Sequence, residues 1–338
     1  MKKYLLPQTG SYYKANLHCH TNVSDGALSP AEVKEKYKAN GYSIVAFTDH
    51  DILIPHPELN DDEFLALNGS EMKIGEKGNC EFKFLKECHL CMIALDPDNL
   101  YQPCFYPSRH VEPNLEEYQK NAEFNGYLDT KYTKYTPEAI NKMIKTFKDA
   151  GFFVTYNHPT WSMETYDQYS YYHGMDAMEV VNNSCCVLGQ PEYNDRVYDE
   201  MLRIGNKIYC VGADDNHNKN ADSDDSFGAY VMIKAEALEY KKITDALVKG
   251  DFYASQGPEI KELYFEDSEI FVTCSDAEYI AFTTEGRRSR RLVAKDGEAL
   301  TSGSFKVLPD DGFVRITITD KNGKKAYTSA YFTDKLFD

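Results

Sequence analysis

Apolar and polar residues change period several times along the chain, and the changes mark its elements. Ala15 to His20 reads as a short strand. Past a glycine-containing loop, Ser29-Pro30-Ala31-Glu32 supplies an N-cap serine, a proline at the first helical position and a glutamate closing a capping box. That helix is expected to stop at Gly41, and the apolar run Ser43 to Thr48 then suits a strand covered on both faces. A second unit repeats the form: Thr136-Pro137 opens a helix ending near Gly151, and Phe152 to Tyr156 follows as a strand. Further strands are expected at Leu90 to Leu95, Ala177 to Val181, Lys207 to Gly212, Gly228 to Lys234 and Phe252 to Ala254. Strands interleaved with helices predict an α/β barrel.

Two regions break this rhythm. Residues 96 to 134 are polar and Tyr-rich, with Pro97, Pro103, Pro107 and Pro113, and are expected to leave the barrel as an irregular excursion that shapes a pocket. Arg109 within it is a candidate phosphate contact and equally an ordinary surface side chain. After Gly257-Pro258 the pattern turns to short alternating segments at 260 to 265, 269 to 274, 279 to 284 and 314 to 319. These predict a small antiparallel β domain, immunoglobulin-like in type. The expected division is a barrel over 1 to 258 and a β domain over 259 to 338.

Composition narrows the function classes. A chain of 338 residues, 42% of them hydrophobic, can bury a substantial core. Its net charge of -17 is spread without a basic stripe, which argues against long nucleic acid as a partner. No stretch is apolar enough for a signal peptide or a membrane span, so a soluble cytoplasmic protein is expected, with no membrane partner. Nine irregularly placed cysteines fit reduced thiols better than a disulfide framework. Cys88-His89-Leu90-Cys91 looks like half a zinc knuckle, but no second Cys-x-x-Cys exists.

The chemistry-bearing residues gather at strand ends. His18 and His20 alternate along the first strand and so face one way. Asp25 lies in the turn Ser24-Asp25-Gly26, and the next strand ends Thr48-Asp49-His50-Asp51. Glu71 follows Asn-Gly-Ser, His89 begins an apolar run, His158 precedes Pro159, and Asp215-Asn216-His217 follows a strand. Each falls where a barrel places its active site. A single histidine at such a place is more often an ordinary hydrogen-bonded side chain, and Asp25 and Asp49 could merely cap a turn. Six of the nine histidines sharing the setting points instead to metal ligation, with His56, His110 and His173 left as loop residues.

In this order the motifs Leu17-His18-Cys19-His20, Ser24-Asp25-Gly26, Thr48-Asp49-His50-Asp51, Glu71, His89, Asn157-His158-Pro159 and Asp215-Asn216-His217 resemble the polymerase and histidinol phosphatase (PHP) family of metallohydrolases. The resemblance spans about residues 14 to 258 and implies a distorted seven-stranded TIM-like (β/α)7 barrel. Phe252 to Pro258, followed by a β domain, looks like a two-domain subgroup related to carbamate hydrolases. Position by position, the resemblance implies three divalent metals: one on His18, His20, Glu71 and Asp215, a second on Asp25, His50 and His217, a third on Glu71, His89 and His158. Asp49 is expected to support these ligands without touching a metal. Zn²⁺, Mn²⁺ or Fe²⁺ suit the mixed donors better than Ca²⁺. The function implied is hydrolysis of a small phosphomonoester, a nucleotide or another metabolite, by metal-activated water. Competing readings are a nuclease acting on oligonucleotide ends, a carboxyl ester or carbamate hydrolase, and a non-catalytic metal-binding module. Assembly as a homo-oligomer is left open.

Overall fold

The structure, a computed structural model, describes residues 2–76, 85–105, 124, 128–129, 134–190, 192–219, 224–295 and 297–338. The first repeated unit forms as its sequence dictates. Strand β1 (Ser11–Asn16) leads to helix α1 (Pro30–Ala39), where Ser29 caps the Glu32 N–H and the Glu32 carboxylate accepts from the Ser29 N–H at 2.8 Å. Strand β2 (Ile44–Phe47) then lies parallel to β1, buried on both faces. Strand β3 (Leu65–Gly75) pairs parallel to β2, and β4 (Glu87–Ala94) runs back against it. Helix α2 (Pro137–Asp149), capped by Thr136, delivers the chain to β5 (Phe152–Tyr156). Strand β6 (Ala177–Asn182), helix α3 (Asp195–Arg203) and β7 (Tyr209–Ala213) follow, then β8 (Tyr230–Ala235), helix α4 (Tyr240–Lys249) and β9 (Phe252–Ser255).

Hydrogen bonding orders these strands 7-6-5-4-3-2-1-8-9 in one large sheet. The α/β class expected from the sequence is therefore present, with two departures from strict alternation. Strand β4 is antiparallel to both β3 and β5. Strand β8 is antiparallel to β1 and β9. The sheet curls enough that Ala177 and Val211 near one end share an apolar cluster with Val231 and Phe252 near the other. A second cluster beneath α2 joins Leu90, Met92, Ile144, Phe147 and Val154. The excursion expected over 96 to 134 lies mostly outside the described residues, Arg109 and His110 with it.

Residues beyond Gly257 form β10 (Ile260–Glu266), β11 (Glu269–Ala277), β12 (Tyr279–Thr284), β13 (Ser289–Val293), β14 (Leu300–Lys306), β15 (Phe313–Thr319) and β16 (Lys325–Tyr327), all paired antiparallel. β10, β11 and β14 belong to one sheet, β12, β13, β15 and β16 to another, and inward residues such as Leu263, Val272, Phe282 and Ile316 fill one apolar cluster between them. The second sheet continues into the first part of the chain through Ala254↔Tyr327 and Ser255↔Ala326. Arg315 adds a buried tie, donating from Nε and Nη2 to the Asp199 carboxylate on α3 at 2.6 and 3.0 Å. No described helix is long and apolar enough to cross a membrane.

Candidate metal centre

β1 ends at Asn16, earlier than its apolar pattern suggests, yet the chain stays extended through His20. Backbone bonds from Asp215 N to His18 O (2.9 Å) and from His20 N to Asn216 O (3.1 Å) pin it against the segment after β7. The two imidazoles so presented meet, with His18 Nε2 and His20 Nε2 3.0 Å apart. Asp215 Oδ1 lies 3.1 Å from the first and 3.0 Å from the second. Asp215 holds a left-handed backbone (φ 52°), as does Asp51 beside His50 (φ 62°), a conformation that non-glycine residues adopt at some energetic cost.

Glu71, buried in the middle of β3, is the hub. Its Oε1 stands 3.1 Å from His89 Nδ1, 3.2 Å from His158 Nε2 and 3.3 Å from His18 Nε2. Its Oε2 stands 3.1 Å from His50 Nδ1 and 3.4 Å from His20 Nε2. Asp25 forms an outer corner, its Oδ1 3.4 Å from His217 Nε2, 3.7 Å from His50 Nε2 and 3.8 Å from His20 Nδ1. Gly26 follows because a Cβ there would sit 2.5 Å from the His20 carbonyl oxygen. Asp49 lies outside the cluster and accepts from the N–H and hydroxyl of both Thr21 and Ser24, which shapes the turn presenting Asp25. Asp25, His50 and His217 are half-buried while the other six side chains are buried, so the centre opens on their side.

All nine side chains singled out in the sequence thus converge. Their donor atoms fall into close groups: His20, Asp25, His50 and His217; His18, His158 and Asp215; Glu71, His89 and His158. Relative to the expected partition, His20 also reaches the Asp25 corner and His158 also reaches Asp215. His56 packs its ring on Phe47 and His173 is exposed, both away from the cluster.

A model of the PHP domain matches residues 16–244. The chain belongs to the PHP domain family. A 5'-3' exoribonuclease of Haemophilus influenzae is 45% identical over 40 residues, 12% of this chain, which spans only 15% of that relative's length. Among solved structures, a two-domain protein of Bacteroides vulgatus, described as containing a PHP-like metal-dependent phosphoesterase, aligns over 97% of this chain and 98% of its own at 14% identity and a TM-score of 0.45. A Bifidobacterium adolescentis structure described as that of a metal-dependent phosphoesterase aligns over 65% and 93% (16% identity, TM-score 0.33). An amidohydrolase from Chromobacterium violaceum, with bound sulfate and no metal, aligns over 62% and 89% (15% identity, TM-score 0.35).

The electrostatics of this PHP domain suit a cation. Burial alone would raise the Glu71 carboxyl, but His18 and the imidazoles around it hold it well below the usual range. Asp215 is depressed in the same way, burial opposing and His18 prevailing. His18 and His20 are held well above the ordinary imidazole value; burial opposes this and Asp215 outweighs it. His50 is pushed well below it, first by burial and then by His20. Positive charge is therefore demanded between the acids and the rings. His20 Nδ1, Asp25 Oδ1, His50 Nδ1 and Asp215 Oδ1 are buried without a hydrogen-bond partner, although oxygens or nitrogens of the cluster lie near them. Unpaired lone pairs aimed at one another would be costly unless a shared ion satisfied them, so the residues present fit divalent cations.

Supporting residues to which the sequence assigned no role complete the centre. Glu179 on β6 accepts from His18 Nδ1 at 2.7 Å and from the His158 N–H at 2.9 Å. Its signal was a lone carboxylate inside the apolar run Ala177 to Val181. Asn157 Nδ2 donates to Glu71 Oε1 at 2.8 Å. Lys219 Nζ lies 2.8 Å from Asp25 Oδ2 at the half-exposed edge. Trp161, its backbone N–H donating to Glu192, sets its indole 5.0 Å from the His158 ring and 5.5 Å from His89.

Proposed function

We propose that this PHP domain is a metal-dependent phosphoesterase that hydrolyses a small phosphomonoester, a nucleotide or another metabolite. One observation carries the reading: five imidazoles stand within 3.4 Å of the Glu71 carboxylate, with Asp25, Asp215 and His217 completing the cluster. In this reading the nine side chains hold up to three ions of Zn²⁺, Mn²⁺ or Fe²⁺, strands β1–β7 form a barrel wall around them, and residues 259–338 are a separate domain docked against it. Bound divalent cations supply Lewis acidity toward a phosphoryl oxygen and make water acidic near neutrality.

The chain's own residues do the rest. Glu179 fixes the His18 ring so that Nε2 faces inward, and Asp49 fixes the turn that carries Asp25. The half-buried edge of Asp25, His50 and His217 is where substrate arrives, and Lys219 places an ammonium there to meet an anion. The buried side of the cluster excludes water, which strengthens every charge interaction within it. A net charge of -17 disfavours long nucleic acid but leaves small anions free to reach this local positive site.

The identity shared with the Haemophilus influenzae exoribonuclease over 40 residues favours a second reading, cleavage of phosphodiesters at oligonucleotide ends. Turnover of p-nitrophenyl phosphate, bis-p-nitrophenyl phosphate, nucleotides and p-nitrophenyl acetate, each with Zn²⁺, Mn²⁺ or Fe²⁺, separates the alternatives. Monoester hydrolysis that a chelator abolishes is expected. Faster diester turnover would select the second reading, and esterase activity without phosphatase activity would overturn both.

A further inference from the structure

Cys91 stands directly across from Glu71 in the antiparallel register of β3 and β4. Alternation along β4 places it on the same face as His89, whereas Cys88, Leu90 and Met92 point the other way into the apolar cluster beneath α2. The Cys91 sulfur, a His18 ring nitrogen and a Glu71 carboxylate oxygen lie within 4.8 Å of one another, all buried. Glu179 occupies His18 Nδ1, which leaves Nε2 as the ring nitrogen free for the cluster. Asn157 Nδ2, which donates to Glu71, also donates to Cys91 Sγ at 3.2 Å. A donor directed at sulfur supports it as an electron-rich acceptor, the role a thiolate ligand has. No other cysteine among the described residues belongs to such a donor group.

We propose that Cys91 is a metal ligand that joins His18 and Glu71 on the buried floor of the centre and biases it toward a borderline-soft cation such as Zn²⁺ over Mg²⁺ or Mn²⁺. This rests on the metal-dependent reading above. Sulfur is the soft donor in an otherwise nitrogen and oxygen set, and hard cations gain little from it. On coordination the sulfur–metal bond forms as the thiol proton passes to solvent.

The test is a Co²⁺ titration of the chelator-treated full chain, followed by absorption. Wild type is expected to show visible bands from its nitrogen and oxygen ligands together with a thiolate-to-cobalt charge-transfer band in the near ultraviolet. In Cys91→Ser the charge-transfer band disappears while the visible bands remain, and Zn²⁺ affinity falls about tenfold or more, the low end of what loss of a single supporting partner costs, with Mn²⁺ affinity little changed. Visible bands without a charge-transfer band in wild type, or a charge-transfer band that survives Cys91→Ser, would overturn the ligand assignment and leave the metal centre standing. Failure of wild type to take up cobalt at all would overturn the metal centre itself. If Cys91→Ser does not fold, Cys91→Ala takes its place in the same titration, and a cobalt-loaded wild type without the charge-transfer band overturns the assignment in either case.

Discussion

Glu179 accepts from His18 Nδ1 across 2.7 Å while both side chains are 1% exposed. This carboxylate selects which His18 nitrogen faces the cluster, and it raises the basicity of that nitrogen. Glu179→Gln keeps the shape but loses the charge. Metal affinity measured by titration calorimetry is expected to drop on the order of 10–100-fold, with the far-ultraviolet circular dichroism spectrum unchanged. An unaltered affinity would show that ring orientation does not depend on this pair.

Asp215 touches both His18 and His20 from its strained position after β7. Asp215→Ala, or His20→Ala, is expected to lower kcat by on the order of 10³-fold or more, the scale at which members of a catalytic unit act together. Combining them should add little further. Rates above a tenth of wild type in both single variants, with a normal melting temperature, would remove the cluster from the mechanism.

The metal-free protein should respond to pH through His89. Burial would lower its pKa, but Glu71 outweighs burial and raises it to about 9, against an ordinary value of 6.5. A raised folded value means the charged ring stabilises the fold fully below pH 6.5, and that contribution is lost as pH climbs through about 9. Divalent ions compete with the same proton, so their affinity should rise across the same window. Melting curves of chelated protein at pH 6, 7.5 and 9 on the order of these bounds, beside metal titrations, check both slopes; a melting temperature that climbs with pH would contradict the assignment.

Arg315 on β15 and Asp199 on α3 form a two-pronged pair, 5% and 9% exposed. Removing one partner strands the other charge in the interior, so Arg315→Ala is expected to cost about 3–5 kcal/mol in urea unfolding. A variant with both positions apolar should recover part of that loss. A cost below about 1 kcal/mol, typical of exposed pairs, would mean that water reaches this junction.

Much of the cluster was legible because many of its side chains sit at strand ends, where a histidine or carboxylate interrupts an apolar run. His18, His50, His158 and Asp215 all carry that mark. β3 was hidden for a related reason: Asn68, Ser70, Glu71 and Lys73 break its alternation, yet all are buried, so polarity there does not mean exposure. The antiparallel direction of β4 and the joining of β9 to β16 depend on pairing between segments, which local periodicity does not encode. Cys91 is visible in the sequence as half of a zinc knuckle, but without a second Cys-x-x-Cys and inside an apolar strand its thiol reads as one more small core residue.

Trp161 is the only tryptophan in the chain, and its ring leans edge-on against two imidazoles of the cluster. The protein therefore carries its own optical reporter. Filling of the His89 and His158 corner should change the intrinsic fluorescence with no label attached, while loading of the Asp25 corner alone should leave the emission nearly still, so the order in which the two ends of the centre fill becomes readable in a cuvette.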